Sequence, residues 1–348
     1  MTMAPRKRTE EPQLMIVRPV FEKFFDLQPL NSNTVISKPR HFGGFFKGSR
    51  LFGGHTAAQS FLAAKRLRND AQVYRIDINF FAPGNLHEDL VYQETSPSTN
   101  PNYVNLDVWQ NNILLSTASC RLHDPPSSDD LSADLTNVVS YFSQKHSDFP
   151  HNVLEPETYT EILDLVDRLP MNKWQKEHGR SFDYRGCTPD NQIFQVRPID
   201  HMHYAGLSNE TKPMLVWARL SPTLLDLPIR DPEAVPLLLS DQIIGRKFSF
   251  ESTKQFAFLD PIFVHFDQLQ IRVTSSATLS HKVYFHEFNF NPRGYFLIEL
   301  NVIRANTTAL ICGRIFDEQK RLLVSIFQNH YYTLHKDDLQ LSKLTAKM

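Results

Sequence analysis

Two stretches far apart in the chain read alike: Val108-Trp109-Gln110-Asn111-Asn112-Ile113-Leu114-Leu115 and Ile315-Phe316-Asp317-Glu318-Gln319-Lys320-Arg321-Leu322-Leu323. Each is an apolar run, a polar turn and a second apolar run, the pattern of a β-hairpin. What precedes each hairpin is also alike. Residues 51–68 place Phe52, Ala57, Ala58, Phe61, Leu62, Ala64 and Leu67 at helical intervals after Gly53-Gly54, and strand-like runs follow over 72–81, 103–110 and 113–122. Later, a short apolar segment over 234–245 is followed by strand-like runs over 283–285, 295–303, 309–316 and 322–332. One helix followed by several strands, written twice, predicts a duplicated α+β fold; periodicity alone goes no further than that class.

The break between the copies is Pro125-Pro126-Ser127-Ser128-Asp129-Asp130, after which polar residues with isolated apolar groups continue to about residue 180. Within it, Thr158–Leu169 reads as one short helix. At 348 residues the chain exceeds the usual single-domain size, so each copy can bury its own core. The expected organisation is a lead-in over 1–12, a first half over 13–124, a surface-wrapping linker over 125–180, a second half over 181–337 and a tail over 338–348.

Several function classes are disfavoured. A formal net charge of −1 leaves no basic footprint for nucleic acid. Cys120, Cys187 and Cys312 form no C-x-x-C pair, and neither they nor the closest histidine pair, His201-x-His203, complete a metal-ligand set. Neither Gly-rich phosphate-loop pattern occurs, which argues against nucleotide enzymes. MTMAPRKRTEEP has no apolar core of a secretory signal, and no run is long enough to span a bilayer. No cofactor and no metal is expected.

Three residues of the second half could together hold and deprotonate a water: Asp241 in LLLSDQIIG, Thr278 in SATLSHKVYFH and Gln328 in LLVSIFQNHYY. Singly each has an ordinary explanation, as a helix cap, a strand former and a solvated amide. Period-two alternation puts Gln328 on one face with Val324 and Ile326, so it should point inward and need a partner. Aligning the hairpins sets Cys120 where Gln328 lies, and the first helix contains no acid, so only the second half is equipped for chemistry. His281 and His286 are alternative bases, although a histidine in an aromatic strand is more often structural.

In order and flanks these residues resemble the type II acyl-coenzyme A thioesterases, the family that includes the peroxisomal acyl-CoA thioesterases and their bacterial relatives. Ser240-Asp241, Thr278-Leu279-Ser280-His281 with Tyr284-Phe285-His286, and Gln328 after Arg314-Ile315-Phe316-Asp317 carry the resemblance in the second half. Arg50-Leu51-Phe52-Gly53-Gly54-His55-Thr56-Ala57-Ala58-Gln59 and Asn79-Phe80-Phe81-Ala82-Pro83-Gly84-Asn85 carry it in the first, so that it covers roughly 40–124 and 181–335. It implies a double hot-dog architecture, homo-oligomers, and hydrolysis of an acyl-CoA substrate by a water activated by Asp241, Thr278 and Gln328. Gly53, Gly54, His55 and His281 are the expected substrate-binding residues, with oxyanion stabilisation from backbone N–H groups at a helix N-terminus. The two glycines would let backbone approach the substrate; tight helix–sheet packing explains them equally well.

The chain departs from the family at His55, Ala82, Ser280 and 98–102, and the stretch between Asp241 and Thr278 is longer than the family norm. Two other readings stay open: a protein that binds acyl-CoA without turning it over, and an enoyl-thioester hydratase, weakened because Gln242-Ile243-Ile244-Gly245-Arg246-Lys247 supplies no histidine after Asp241. The terminal Ala346-Lys347-Met348 resembles a variant of the tripeptide read by the peroxisomal import receptor, which makes the peroxisome the expected location and the cytoplasm the alternative.

Overall fold

A computed structural model describes residues 16–43, 50–95, 100–122, 149–150, 152–165, 190, 192–204, 213–241, 273–305 and 308–334. The lead-in, most of the linker and the tail with Ala346-Lys347-Met348 lie outside the described residues.

The first half begins with a helix, α1 (Arg18–Phe24), then strands β1 (Leu27–Asn31) and β2 (Thr34–Ser37), the central helix α2 (Gly53–Leu67), and strands β3 (Val73–Phe80), β4 (Leu90–Glu94), β5 (Tyr103–Gln110) and β6 (Ile113–Leu122). The second half has β7 (Phe194–Pro198), β8 (Met214–Leu220), a helix α3 over 234–241, and β9 (Val273–Phe285), β10 (Phe296–Ala305), β11 (Thr308–Phe316) and β12 (Leu322–Leu334). All twelve described strands join one antiparallel sheet in the order β1-β2-β4-β5-β6-β3-β9-β12-β11-β10-β8-β7. Read from either end, that order is the same succession of elements. The copies therefore meet back to back where β3 pairs with β9.

The duplication extends to irregularities. In the hairpin β5–β6, Val108 pairs with Ser116 and the next residue, Trp109, pairs with Leu114; in β11–β12, Ile315 pairs with Val324 and Phe316 with Leu322. A bulge at the same place in both hairpins fixes which residues correspond. It makes Cys120 the counterpart of Gln328.

α2 is enclosed, with residues 54–65 all buried, so it has no wet face and its polar side chains must find partners inside. Gln59 does so by donating to Phe24 O and Ser37 Oγ and accepting from Tyr92 Oη. At its C-terminal end Lys65 pairs with Asp231 at 2.8 Å and Glu233 at 3.5 Å, and Arg66 with Asp231 at 2.9 Å, just before α3 begins. Its N-terminal end meets the other end of α3, at Asp241. The two helices therefore lie antiparallel on one face of the sheet, with cations at the C-terminus of α2 and carboxylates at the start of α3, the arrangement both dipoles favour.

The opposite face of the second half is covered by part of the linker. Phe149, Val153 and Tyr159 pack on Trp217, Tyr295, Leu297 and Phe316, which alternate with the helix-facing residues of their strands. In place of one helix over Thr158–Leu169, this segment holds a 3-10 turn at Pro156–Thr158 and a single turn at Ile162–Leu165, with 166–169 outside the described residues. The interruption is Tyr159, whose extended backbone (φ −102°, ψ 140°) breaks the helical path.

Candidate active site

Asp241 is the last described residue of α3, almost fully buried and ringed by donors. Thr278 Oγ1 donates to its Oδ1 at 2.9 Å, and Gln328 Nε2 donates both to that oxygen and, at 2.7 Å, to Thr278 Oγ1. The other carboxylate oxygen, Oδ2, accepts the backbone N–H of Gly54 at 2.7 Å. The carboxylate thus sits at the N-terminus of α2, where the partial positive charge of the helix favours it.

Gln328 reaches this point by regular alternation: Val324, Ile326, Gln328 and His330 are all buried. Thr278 does not. His281, Val283 and Phe285 define the inner face of β9, and strict alternation from them would turn Thr278 outward. Instead, Ser280 pairs with Asn329 and Thr278 with His330, so that Leu279 is an extra residue in the ladder, 40% exposed. The bulge returns Thr278 to the inner face beside Gln328.

The same bulge occurs in the first half, where Val73 pairs with Leu122 and Arg75 with Arg121, leaving Tyr74 as the extra residue. The counterparts of Thr278, His281, Gln328 and His330 are then Val73, Ile76, Cys120 and Leu122, all buried and all without a strong polar group. Identical backbone devices carry a polar cluster in one copy and a plain core in the other.

The glycines fit closely against the acid. A Cβ on Gly53 would lie 2.9 Å from Asp241 Oδ2 and 3.5 Å from Phe80 Cζ, and one on Gly54 would meet the Phe52 ring at 2.7 Å and Asp241 Cβ at 3.1 Å. The space beside both glycines is thus filled by Asp241 and by the rings of Phe80 and Phe52, a close packing of the helix backbone on the carboxylate. The first half, whose central helix carries no acid, supplies the N–H that holds Oδ2.

His281 lies directly across from Gln328. Ser240 Oγ donates to Leu237 O at 2.7 Å, so its 3.1 Å contact with His281 Nε2 is one in which the imidazole donates. Nδ1 of His281 and Oε1 of Gln328 are buried without a partner among the described residues. Burial pushes the His281 imidazole below its usual range, against the opposing pull of the Asp241 carboxylate. His330, across from Thr278, is pushed down to about 4 by burial, again opposed by Asp241. His330 is therefore neutral at ordinary pH. His330 carries no motif; sharing a face with Gln328 was the one sign of it in the sequence.

His55 goes elsewhere. Its Nδ1 accepts the Phe42 N–H at 3.3 Å, and its ring packs on Phe24, Phe42 and His41 at centroid distances of 5.3, 5.6 and 5.0 Å, within an aromatic cluster rather than beside Asp241, Thr278 or Gln328. His286, the other histidine base considered, bonds Ser325 Oγ at 2.9 Å. His201 and His203 share a single helical turn, and among the described residues no group of His, Cys, Asp and Glu could hold a metal ion. No described helix is long and apolar enough to cross a membrane.

Two like halves, each a six-stranded antiparallel sheet carrying one central helix, define a double hot-dog α+β fold. No family model and no curated protein sequence matches the chain. Among solved structures, it is similar to an acyl-CoA thioesterase II, TesB2, from Mycobacterium marinum, at 18% identity and a TM-score of 0.56, over 91% of this chain and 99% of that one. A tesB protein from Mycobacterium avium subsp. paratuberculosis aligns at 15% identity and 0.52, over 90% and 98% of the two chains. A hot-dog protein of unknown function from Alicyclobacillus acidocaldarius aligns at 16% identity and 0.58, over 90% and 97%. At these identities the likeness establishes the fold.

Proposed function

We propose that this protein hydrolyses acyl-CoA thioesters to a free acid and coenzyme A. The observation that carries the reading is the convergence of Thr278 and Gln328 on one oxygen of a buried carboxylate, in a fold shared with solved acyl-CoA thioesterases II. A thioester carbonyl is already electrophilic and a thiolate leaves readily, so a positioned water, a base and an oxyanion donor suffice.

In this mechanism the water gives one hydrogen bond to Asp241 and the other to Oε1 of Gln328, the buried acceptor that otherwise has no partner among the described residues. Thr278 and Gln328 fix the carboxylate, and the Gly54 N–H fixes its far oxygen. As the water oxygen bonds to the carbonyl carbon, its proton passes to Asp241 and the carbonyl electrons move onto oxygen. We assign the developing oxyanion to the first-turn N–H groups of α2 on Gly53 and His55, since that of Gly54 is engaged. Collapse of the intermediate breaks the carbon–sulfur bond, and the thiolate recovers the proton from Asp241. No metal, cofactor or covalent intermediate enters.

The test is thiol release by the purified full chain across a panel of acyl-CoA chain lengths, with Asp241→Asn beside it. Saturable hydrolysis lost in the variant supports the reading; binding of acyl-CoA without turnover by the wild type replaces it with that of a carrier. For location we propose import into the peroxisome through Ala346-Lys347-Met348, on the resemblance of that tripeptide to the receptor-read signal.

A further inference from the structure

Asp241 has two dissimilar surroundings. The second half surrounds it with polar groups; the first half brings aromatic rings. Phe80, the last residue of β3, shares the inner face with Ile76 and Ile78, but where those are fully buried it is half-buried. The pairing of Asn79 with Ser280 sets Phe80 level with the Leu279 bulge that turns Thr278 inward. Its Cζ is 3.5 Å from the point where a Gly53 Cβ would stand, and that point is 2.9 Å from Asp241 Oδ2. Phe52 packs in the same way over Gly54. Part of the Phe80 ring is therefore open to solvent close to where Gly53 meets the Asp241 carboxylate.

Resting on the thioesterase reading, we infer that Phe80 is a specificity-determining residue that limits substitution at the acyl carbon adjoining the thioester carbonyl. A water delivered by Asp241 must attack within about 3–3.5 Å of the carbonyl carbon, so the next carbon of the acyl group falls within reach of the Phe80 ring tip. An unbranched methylene passes the ring edge; a methyl branch there meets it. Specificity set this way belongs to the first few atoms of the acyl group and is independent of chain length.

The experiment compares kcat/KM for straight and 2-methyl-branched acyl-CoA of equal length, at a short and a long chain, in the full-length protein. Phe80→Ala is expected to raise the branched-to-straight ratio about tenfold or more, as opening a pocket by several carbons does. Phe80→Trp should lower it. Phe81→Ala, a change at the neighbouring 61% exposed ring, should leave it alone. Should Phe80→Ala fold poorly, Phe80→Leu keeps an apolar side chain on the inner face and should move the ratio in the same direction. A ratio unchanged in the Phe80 variants overturns the inference while leaving the hydrolase reading intact. So does a uniform rise in KM on every substrate, because that places the ring against the coenzyme A arm. A wild type that hydrolyses neither class defeats the hydrolase reading, and this inference with it.

Discussion

Replacing Gly53 by Ala adds one methyl group at the most constrained point of the site. The new Cβ would stand 2.9 Å from Asp241 Oδ2, closer than Cβ atoms are found to other heavy atoms, so something must yield by a few tenths of an ångström. The ring of Phe80, at 3.5 Å, is in ordinary contact and exerts no push. The carboxylate must therefore move, yet Oδ2 is bonded to Gly54 N–H at 2.7 Å and Oδ1 to Thr278 and Gln328, and any rotation stretches at least one of these. A misplacement of about 1 Å costs roughly a hundredfold in rate, so a shift of about half that should lower kcat about tenfold, near 1.4 kcal/mol of barrier. Stability should change less than activity, because the cost of shifting the carboxylate is opposed by the preference of a helix for Ala over Gly, up to about 1 kcal/mol in a helix interior. Steady-state thiol release and thermal unfolding, measured on the same preparation, read both quantities. Turnover equal to wild type would refute the steric argument. Activity lost only in step with melting would show that the methyl group acts on folding rather than on the acid.

Asp241→Asn keeps the shape and removes the base, so thiol release should fall by about a hundred- to ten-thousand-fold; a loss below tenfold would show that the carboxylate is not the base. Deleting Leu279 removes the extra residue, and regular alternation from His281 through Ser280 then still turns Thr278 inward, so activity should stay above the level of Thr278→Val with the sheet retained by circular dichroism; a deletion as inactive as Thr278→Val would refute the reading of Leu279 as a bulge. Because the folded-state values of His281 and His330 lie below the ordinary histidine value, the unfolded chain takes up protons first on acidification. Stability should then be complete above about pH 6.5 and decline as the pH falls toward about 4, by roughly 3 kcal/mol for His330 alone. Urea unfolding at stepped pH checks this, and His330→Leu, which installs the residue found at the counterpart position 122, should flatten the slope. Removing Ala346-Lys347-Met348 should leave a fluorescent fusion joined at the N-terminus diffuse in the cytosol with activity unchanged; diffuse fluorescence from the intact chain would count against the address.

The local grammar of the chain determined a good deal. β5 and β6 fall on the predicted residues 103–110 and 113–122, and α2 within 51–68, because alternation and helical spacing depend only on neighbours in sequence. The inward face of Gln328 followed from the same rule. Elements whose residues do not alternate were not legible. β1 contains Pro29 and is exposed beyond Leu27, as suits a sheet edge, and the first ten residues of β9, VTSSATLSHK, give no apolar rhythm, so that only its end at 283–285 read as a strand. What tertiary structure alone decided is the site's assembly. Strand pairing turns Thr278 inward through a bulge that no single-strand pattern encodes, because an extra residue exists only relative to a partner strand. Antiparallel stacking of α2 and α3 brings Gly54 to Asp241 across 187 residues of chain and makes the first half a contributor to a site whose side-chain triad lies wholly in the second. The types of the residues were written in the sequence; the triad's distances depend on how β9 pairs with β12, and those to the first half on how the two copies meet at β3 and β9, and neither contact has a local signature.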